Sequence, residues 1–295
     1  MCARRARRYT VGLPVPLGGA AGLSDLARDD AGRYWAVEER EPPGSSATTR
    51  EIVRLDLADT ARPKIVERLR YELPRVLDTE SIVALGPGLF AVGTEVQPEH
   101  ATEGDLAADE VFVVAVEGGV ARIEPGAGWS LAYAPWNGRR EVNHGIEGMC
   151  ATSRWVLMAS EQRLGPPTFA PLVLRDRRTS SNIPGKLALP DEGRISALTC
   201  CEAPDGLEVL AIQRALLRNG TSVHRLLGFR VPTAGSPDVA PDLDVDLEPL
   251  YASAGGKGLM PNLEGLAPLD ATSIAVITDD SPGPDARLLV LTAAD

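Results

Sequence analysis

Apolar and polar positions along this chain follow a unit that occurs five times. Each unit has a short apolar run, a polar turn, a second apolar run and a polar end. The five copies are LSDLARDDAGRYWAVEER from Leu23, TESIVALGPGLFAVGTEV from Thr79, IEGMCATSRWVLMASEQR from Ile146, ISALTCCEAPDGLEVLAIQR from Ile195 and LEGLAPLDATSIAVITDD from Leu263. Short apolar runs separated by turn residues are typical of paired β-strands, so each copy predicts a hairpin.

Further apolar runs extend each hairpin towards a four-stranded sheet. REIVRLDL and APLVLRDRR are examples of third strands, and KIVERLRYEL and LDVDLEPLY are examples of weaker fourth strands. The copies begin at intervals of 49 to 68 residues, which suits one blade of a β-propeller with its loops. The sequence therefore predicts an all-β protein, a β-propeller of five four-stranded blades. Six blades would require another copy in one of the long gaps, and we recognise none.

The last copy is too short for a complete blade. Only 31 residues follow Glu264, enough for three strands in total. The N-terminal run RRYTVGLPV can supply the fourth strand, which would close the ring and remove an exposed sheet edge. We therefore predict a basic tail over residues 1–8 and a single propeller domain over residues 9–295.

The repeat also places carboxylates in register. In a hairpin the start of the first strand lies beside the end of the second. The residues that meet there are Ser24 with Glu39, Glu80 with Glu95, Glu147 with Glu161, and Glu264 with Asp279; in the fourth copy Ser196 faces Gln213. Four blades thus direct acids towards the same end of one central channel.

Acids gathered at one end of a channel repel one another unless their negative charge is balanced. Two like charges 4 Å apart repel by roughly 4 kcal/mol at an effective dielectric constant near 20. A cluster of oxygen ligands without cysteine favours a hard cation, calcium before zinc. The predicted metal ligands are Glu80, Glu95, Glu147, Glu264, Asp279 and Asp280. The structural alternative is that the strand-initial glutamates only accept backbone hydrogen bonds from the neighbouring blade, with the other acids solvated at loop ends.

Basic residues follow the second strands of several copies. Arg40, Arg163 and Arg214 occupy these positions, and Lys257 lies in the loop before the fifth copy, so we predict these four as substrate-binding residues. The chain has no G-x-S-x-G motif that would position a serine nucleophile. Any hydrolysis would then use a metal-activated water, with a carboxylate or a histidine accepting the proton. The predicted catalytic residues are Glu147, Glu161, Asp279 and His144.

Composition narrows the possible partners. The net charge of −11 argues against binding to nucleic acid, and no apolar run approaches the 18 residues of a membrane span. The N-terminus shows no signal peptide as written. The four cysteines form no zinc-binding pattern, and we interpret them as buried free thiols, with a Cys150–Cys200 disulfide as the alternative.

Three segments resemble a known family. GIEGMC…WVLMASEQR, NLEGLAPL…SIAVITDDS and GLSDLARDDAGRYWAVEER are similar to segments of the phytase-like β-propeller family, described as esterase-like activity of phytase. The resemblance extends from about Gly22 to Leu291. It implies a propeller fold, a phosphoester or ester hydrolase, and an exported or periplasmic location. By this resemblance the matching motif positions are Glu147, Glu161, Glu264, Asp279 and Asp280. The chain departs from it in the first and fourth copies, which carry Ser24 and Ser196 at the position of the acid.

Three functions remain open at this point. The first is a calcium-dependent phosphoester hydrolase in which arginines bind phosphate. The second is a hydrolase of lactones or carboxylic esters that uses the same metal, and the third is a propeller that binds a ligand or a protein without catalysis. We expect a monomer whose partner is a small-molecule ester or phosphoester, or another ligand.

Overall fold

The strands of this protein form five antiparallel sheets. A computed structural model describes residues 6, 8–19, 22–39, 41–102, 107–138, 144–190, 192–216, 222–279 and 286–294. The innermost strand of each sheet contacts the innermost strand of the next, and the last contacts the first. The sheets are therefore the blades of a five-bladed β-propeller around a central channel, which confirms the predicted fold.

The strands follow the chain from blade to blade. The N-terminal segment provides β1 (Arg8–Val11) and β2 (Val15–Pro16). Blade 1 contains β3 (Leu23–Arg28), β4 (Tyr34–Glu38), β5 (Thr49–Asp56) and β6 (Lys64–Glu72). Blade 2 contains β7 (Asp78–Gly86), β8 (Leu89–Glu95) and β9 (Ala108–Glu117), with β10 (Val120–Ile123) and β11 (Trp129–Ala132) both paired to β9.

The remaining blades repeat this order. Blade 3 contains β12 (Ile146–Ala151), β13 (Trp155–Ser160), β14 (Phe169–Asp176) and β15 (Ser181–Ala188). Blade 4 contains β16 (Arg194–Ala203), β17 (Gly206–Leu216), β18 (Ser222–Pro232) and β19 (Leu243–Asp246). Helix α1 (Glu248–Ser253) leads to blade 5, which contains β20 (Leu263–Pro268), β21 (Ser273–Thr278) and β22 (Arg287–Ala294).

The fourth strand of blade 4 is shorter than the sequence suggested. The run LDVDLEPLY was predicted as one strand, but the strand ends at Asp246 and α1 begins at Glu248. Pro249 explains the difference, because proline cannot donate to a sheet ladder and is favoured in the first turn of a helix.

The two ends of the chain close the ring. Arg8 pairs with Ala294 and Val11 with Leu291, and β2 pairs further along the same β22 strand. Tyr9 and Val11 are buried in the apolar cluster between blades 4 and 5. The predicted closure by an N-terminal strand is therefore confirmed. Because the first and last segments share one sheet, neither leaves an apolar edge exposed.

Burial decreases from the channel outwards. Strands β4, β13 and β20 consist only of buried residues, whereas β6 alternates along most of its length between exposed and more buried positions. The strands near the channel are mostly apolar because neighbouring blades cover both of their faces. At one such contact, the rings of Trp35 in blade 1 and Phe90 in blade 2 lie 5.1 Å apart.

A disulfide joins two of the inner strands. Cys150 in β12 and Cys200 in β16 are bonded, with their Cα atoms 5.6 Å apart. Cys201 is also part of a disulfide. The interpretation of these cysteines as free thiols was wrong, because adjacent blades bring together residues 50 positions apart in the sequence. Within the described ranges, no helix is both long enough and apolar enough to cross a membrane.

Candidate functional site at the channel mouth

Four of the five inner strands contain a β-bulge at the position of the predicted site residue. The register with the second strand shifts between Thr79 and Ser81, between Ile146 and Gly148, between Ile195 and Ala197, and between Leu263 and Gly265. The extra residues are Glu80, Glu147, Ser196 and Glu264. A bulge takes a residue out of the ladder and redirects its side chain. Four blades therefore present their candidate residue in the same way, at the end of the channel where the inner strands begin, here called the channel mouth.

Blade 1 has a longer irregularity. Its register shifts between Ser24 and Ala27, so Asp25 and Leu26 are the unpaired residues. Ser24 remains paired to Val37 and its hydroxyl lies 2.9 Å from Oε1 of Glu39 and 3.3 Å from Oε2 of Glu80. The carboxylate of blade 1 is thus Asp25, one position after the serine that we aligned with the glutamates.

Three carboxylates in blade 2 form a compact acidic group. Oxygen atoms of Asp78, Glu80 and Glu95 lie within 4.8 Å of one another. Asp78 accepts hydrogen bonds from Arg50 Nη2 at 3.2 Å and from Gln97 Nε2 at 2.6 Å. The sequence analysis included Glu80 and Glu95 in the metal ligands but missed Asp78. These three residues are called the blade 2 triad below.

Burial governs the protonation of the triad. It raises the pKa of Glu80 well above its usual range, and the charges of Glu95 and Glu39 raise it further. Burial likewise raises the pKa of Glu95 to about 8, with contributions from Glu161 and Asp78, although the N–H of Gly145 donates to its Oε2 at 3.0 Å. A bound cation would remove this cost, since it stabilises the ionised carboxylates.

Glu147 lies next to this group and has no partner in the part of the chain that the structure describes. Its side chain is buried, and no described residue forms a hydrogen bond or an ion pair with its carboxylate. Burial raises the pKa of Glu147 well above its usual range, and the charges of Glu161 and Glu264 add to the effect. A neutral Glu147 could donate a proton, and an ionised one could accept a proton or a cation.

The opposite side of the mouth is basic. Arg214 Nη2 lies 3.0 Å from Oε1 of Glu264 and 3.4 Å from Oε1 of Glu161. Arg194 Nη1 lies 3.4 Å from Oε2 of Glu161 and also contacts Nε2 of His144, which is 3.9 Å from the same oxygen. Although burial opposes its charge, Glu264 and Glu161 raise the pKa of Arg214 above its usual range. Three basic groups therefore surround one carboxylate, Glu161.

One side-chain amide donates to both Glu264 and Asp279. Nδ2 of Asn262 donates to Oε1 of Glu264 and, at 2.8 Å, to Oδ2 of Asp279. Burial raises the pKa of Glu264 to about 8, against the lowering effect of Arg214. Oε2 of Glu264 is buried without a hydrogen-bond partner among the described residues. This oxygen is therefore available to a ligand in the mouth.

Three of the residues that sequence analysis missed share one position. Asp78, Arg194 and Asn262 each lie two residues before a bulge residue, Glu80, Ser196 and Glu264 respectively. Residues two apart on a strand point to the same face. An alignment extended by two positions would have included all three among the mouth residues.

Several predicted residues lie away from these contacts. Arg163 and Lys257 form no ion pair with the mouth carboxylates within the described residues; Lys257 is exposed, and Nε of Arg163 is buried without a hydrogen-bond partner. Arg40 and Asp280 lie outside the residues that the structure describes.

A second chamber lies beyond the mouth. Asp25 is fully buried between the inner strands, and a cavity of about 800 Å³ begins on its far side. The far ends of all five inner strands line this cavity, and the Cys150–Cys200 disulfide forms part of its wall. None of the mouth carboxylates named above lines this cavity, which lies at the far ends of the inner strands.

Fold and site together define a five-bladed β-propeller with a buried acidic cluster at one channel mouth. The chain belongs to the phytase-like family, whose model is described as esterase-like activity of phytase and matches residues 18–281. This confirms the family resemblance. No curated protein sequence is significantly similar to the chain.

Solved structures share the architecture at low sequence identity. The GH32 β-fructofuranosidase BmSUC1 of Bombyx mori is 12% identical with a TM-score of 0.56; the alignment covers 96% of this chain and 61% of that one. The α-L-arabinofuranosidase PaAbf62A of Podospora anserina is 12% identical, with 98% of each chain covered and a TM-score of 0.49. The present chain thus spans about three fifths of the fructofuranosidase, and the likeness shows the fold alone.

Proposed function

We propose that this protein is a calcium-dependent hydrolase of phosphoesters or carboxylic esters, with its active site at the channel mouth. The observation that carries the proposal is the blade 2 triad, in which the buried Glu80 and Glu95 and the partly buried Asp78 have carboxylate oxygens within 4.8 Å of one another. Their oxygens match the hard ligands that calcium prefers, and no cysteine or histidine belongs to the group. The family description supports ester hydrolysis.

Calcium fits the cluster because its carboxylates have few partners among the described residues. Among the described residues, Arg50 is the one cation paired with the triad, through Asp78, while Glu80 and Glu95 receive only the neutral donors Ser24 and Gly145. Within the described ranges, Glu147 has no partner and Oε2 of Glu264 has no hydrogen-bond partner. Asp78, Glu80 and Glu95 would hold the ion, with Glu147 at its edge. Bound calcium would polarise an ester oxygen and acidify a water molecule.

The protein's own side chains would perform the remaining steps. Arg214 and Arg194 present guanidinium groups that can orient the anionic oxygens of a substrate. Glu147, which is buried and unpartnered among the described residues, would transfer the proton between water and the leaving group. Glu161, held by Arg194, Arg214 and His144, would position these basic groups.

The two arginines favour a phosphoester over a lactone or a simple carboxylic ester, because only the phosphoester carries a charge that they can bind. Steady-state kinetics on p-nitrophenyl phosphate and p-nitrophenyl acetate, with calcium or with chelator, would separate these substrates. We expect calcium-dependent turnover that a Glu80→Gln, Glu95→Gln double variant loses by at least a hundredfold. A folded, calcium-loaded parent protein that hydrolyses neither ester would instead indicate a ligand-binding propeller.

A further inference from the structure

Asp25 connects the inner strands below the mouth. Its carboxylate accepts the N–H of Leu26 at 2.8 Å and the N–H of Ile82 at 3.0 Å. The backbone N–H groups of Met149 and Leu266 are also directed at it, and they lower its pKa against the larger raising effect of burial. One side chain of blade 1 therefore interacts with the backbones of blades 2, 3 and 5.

The backbone donors to Asp25 occur at a constant spacing from the glutamates of the mouth. Ile82, Met149 and Leu266 lie two residues after Glu80, Glu147 and Glu264 respectively, the three glutamates of the bulges. In each of these three strands, the backbone N–H directed at Asp25 therefore belongs to the residue two positions after the glutamate. A displacement of any of these strands along the channel would move its glutamate and break its interaction with Asp25.

The backbone at Asp25 is adapted to this role. Its φ angle is 50°, in the left-handed region that non-glycine residues seldom occupy. On the blade 5 side, a Cβ atom at Gly265 would lie only 2.6 Å from the carbonyl carbon of Asp25 and 2.7 Å from the nitrogen of Leu26. The strand that carries Glu264 therefore packs directly onto the bulge of blade 1.

We propose that Asp25 is a positioning residue that holds the inner strands of blades 2, 3 and 5 at one level, so that Glu80, Glu147 and Glu264 converge on the mouth. It acts through the backbone and does not touch the substrate. Four donors need two acceptor oxygens, so an amide in place of the carboxylate would remove one acceptor and set its own N–H groups against the backbone donors.

The test uses Asp25→Asn with Asp29→Asn as a matched control. Asp29 is also buried, follows the same β3 strand, and accepts the N–H groups of Ala31 and Arg33 and the indole N–H of Trp35. It lies at the other end of β3, away from the mouth. Both variants lose a buried hydrogen-bonded carboxylate of blade 1, but only Asp25 is linked to the three glutamate strands.

The readout is carbodiimide labelling of carboxyl groups in metal-free protein, followed residue by residue with peptide mass spectrometry. We expect the carbodiimide to label Glu80, Glu147 and Glu264 at least threefold faster in Asp25→Asn than in the parent. In Asp29→Asn these glutamates should be labelled at the parent rate. If both folded variants label these glutamates at the parent rate, or if both accelerate equally, Asp25 is only a structural hydrogen-bond acceptor and the proposal is overturned.

Calcium titration by calorimetry provides a second readout, which rests on the proposed function. Asp25→Asn should weaken calcium binding at least tenfold, and Asp29→Asn should leave it unchanged. A parent protein that binds no calcium would contradict the proposed function, and the labelling rates would still decide the role of Asp25. If Asp25→Asn does not fold, Asp25→Gly replaces it, because glycine adopts a φ of 50° without strain. Parent-like labelling in that variant would equally overturn the proposal.

Discussion

Arg214 and Glu264 form a partly buried ion pair across the interface of blades 4 and 5, with Nη2 of the arginine 3.0 Å from Oε1 of the glutamate. The same Nη2 lies 3.4 Å from Glu161 of blade 3. One guanidinium therefore balances acids from two other blades. Within the described residues, Glu80 and Glu95 of the blade 2 triad form no ion pair, whereas Asp78 pairs with Arg50.

Replacement of Arg214 should affect substrate binding more than turnover. An arginine that holds an anionic substrate in both the ground state and the transition state contributes mainly to KM. We expect Arg214→Ala to raise KM for p-nitrophenyl phosphate at least tenfold, with a smaller change in kcat and little change for p-nitrophenyl acetate. Arg54→Ala is the control, because Arg54 pairs with Glu67 on outer strands of blade 1. A parent-like KM in Arg214→Ala would exclude this arginine from substrate binding.

Calcium should stabilise the folded protein. A ligand that binds only the native state at a hundred times its Kd adds about 2.7 kcal/mol to the free energy of unfolding, which corresponds to roughly 5 °C in Tm for a domain of this size. The Glu80→Gln, Glu95→Gln double variant should lose this rise and still fold, since glutamine resembles the protonated acid. Differential scanning calorimetry with and without calcium measures both effects, and an equal rise in the double variant would place the ion elsewhere.

Without calcium, stability should fall as the pH rises. The pKa values of Glu95 and Glu264 are raised to about 8 in the folded protein. A carboxyl with a raised folded-state pKa stabilises the native state fully below its unfolded value, near 4.3, and loses that contribution as the pH passes through the folded value. The Tm of metal-free protein should therefore decrease between pH 5 and pH 8.5. Glu264→Gln should flatten this decrease, and a steep decrease that the variant retains would contradict its assignment to this residue.

The Cys150–Cys200 disulfide should contribute strongly to stability. It closes a loop of 50 residues, for which chain entropy corresponds to about 4 kcal/mol. A Cys150→Ala, Cys200→Ala double variant should lower the urea midpoint of unfolding accordingly. Peptide mapping of the unreduced parent should recover the two cysteines in one linked peptide. Separate peptides would show that the bond does not form in solution.

The sequence by itself determined the architecture. The five copies, their spacing and the incomplete last copy predicted five blades closed by the N-terminal strand, because blade formation depends on strand and turn patterns local to each copy. The same register placed Glu80, Glu147 and Glu264 at one end of the channel. These are consequences of antiparallel pairing, which a sequence pattern specifies directly.

Only the tertiary structure decided which groups meet at the mouth. Asp25 was absent from the sequence-derived site because its left-handed backbone and its position in the bulge of blade 1 are not visible in the repeat. The disulfide, too, was the less favoured interpretation, since it depends on how blades 3 and 4 pack. Arg194 reaches Glu161 whereas Arg163, nearer in sequence, forms no such pair within the described residues. Contacts between blades join residues that are far apart along the chain, and they depend on the packing of the whole ring rather than on any one copy of the repeat.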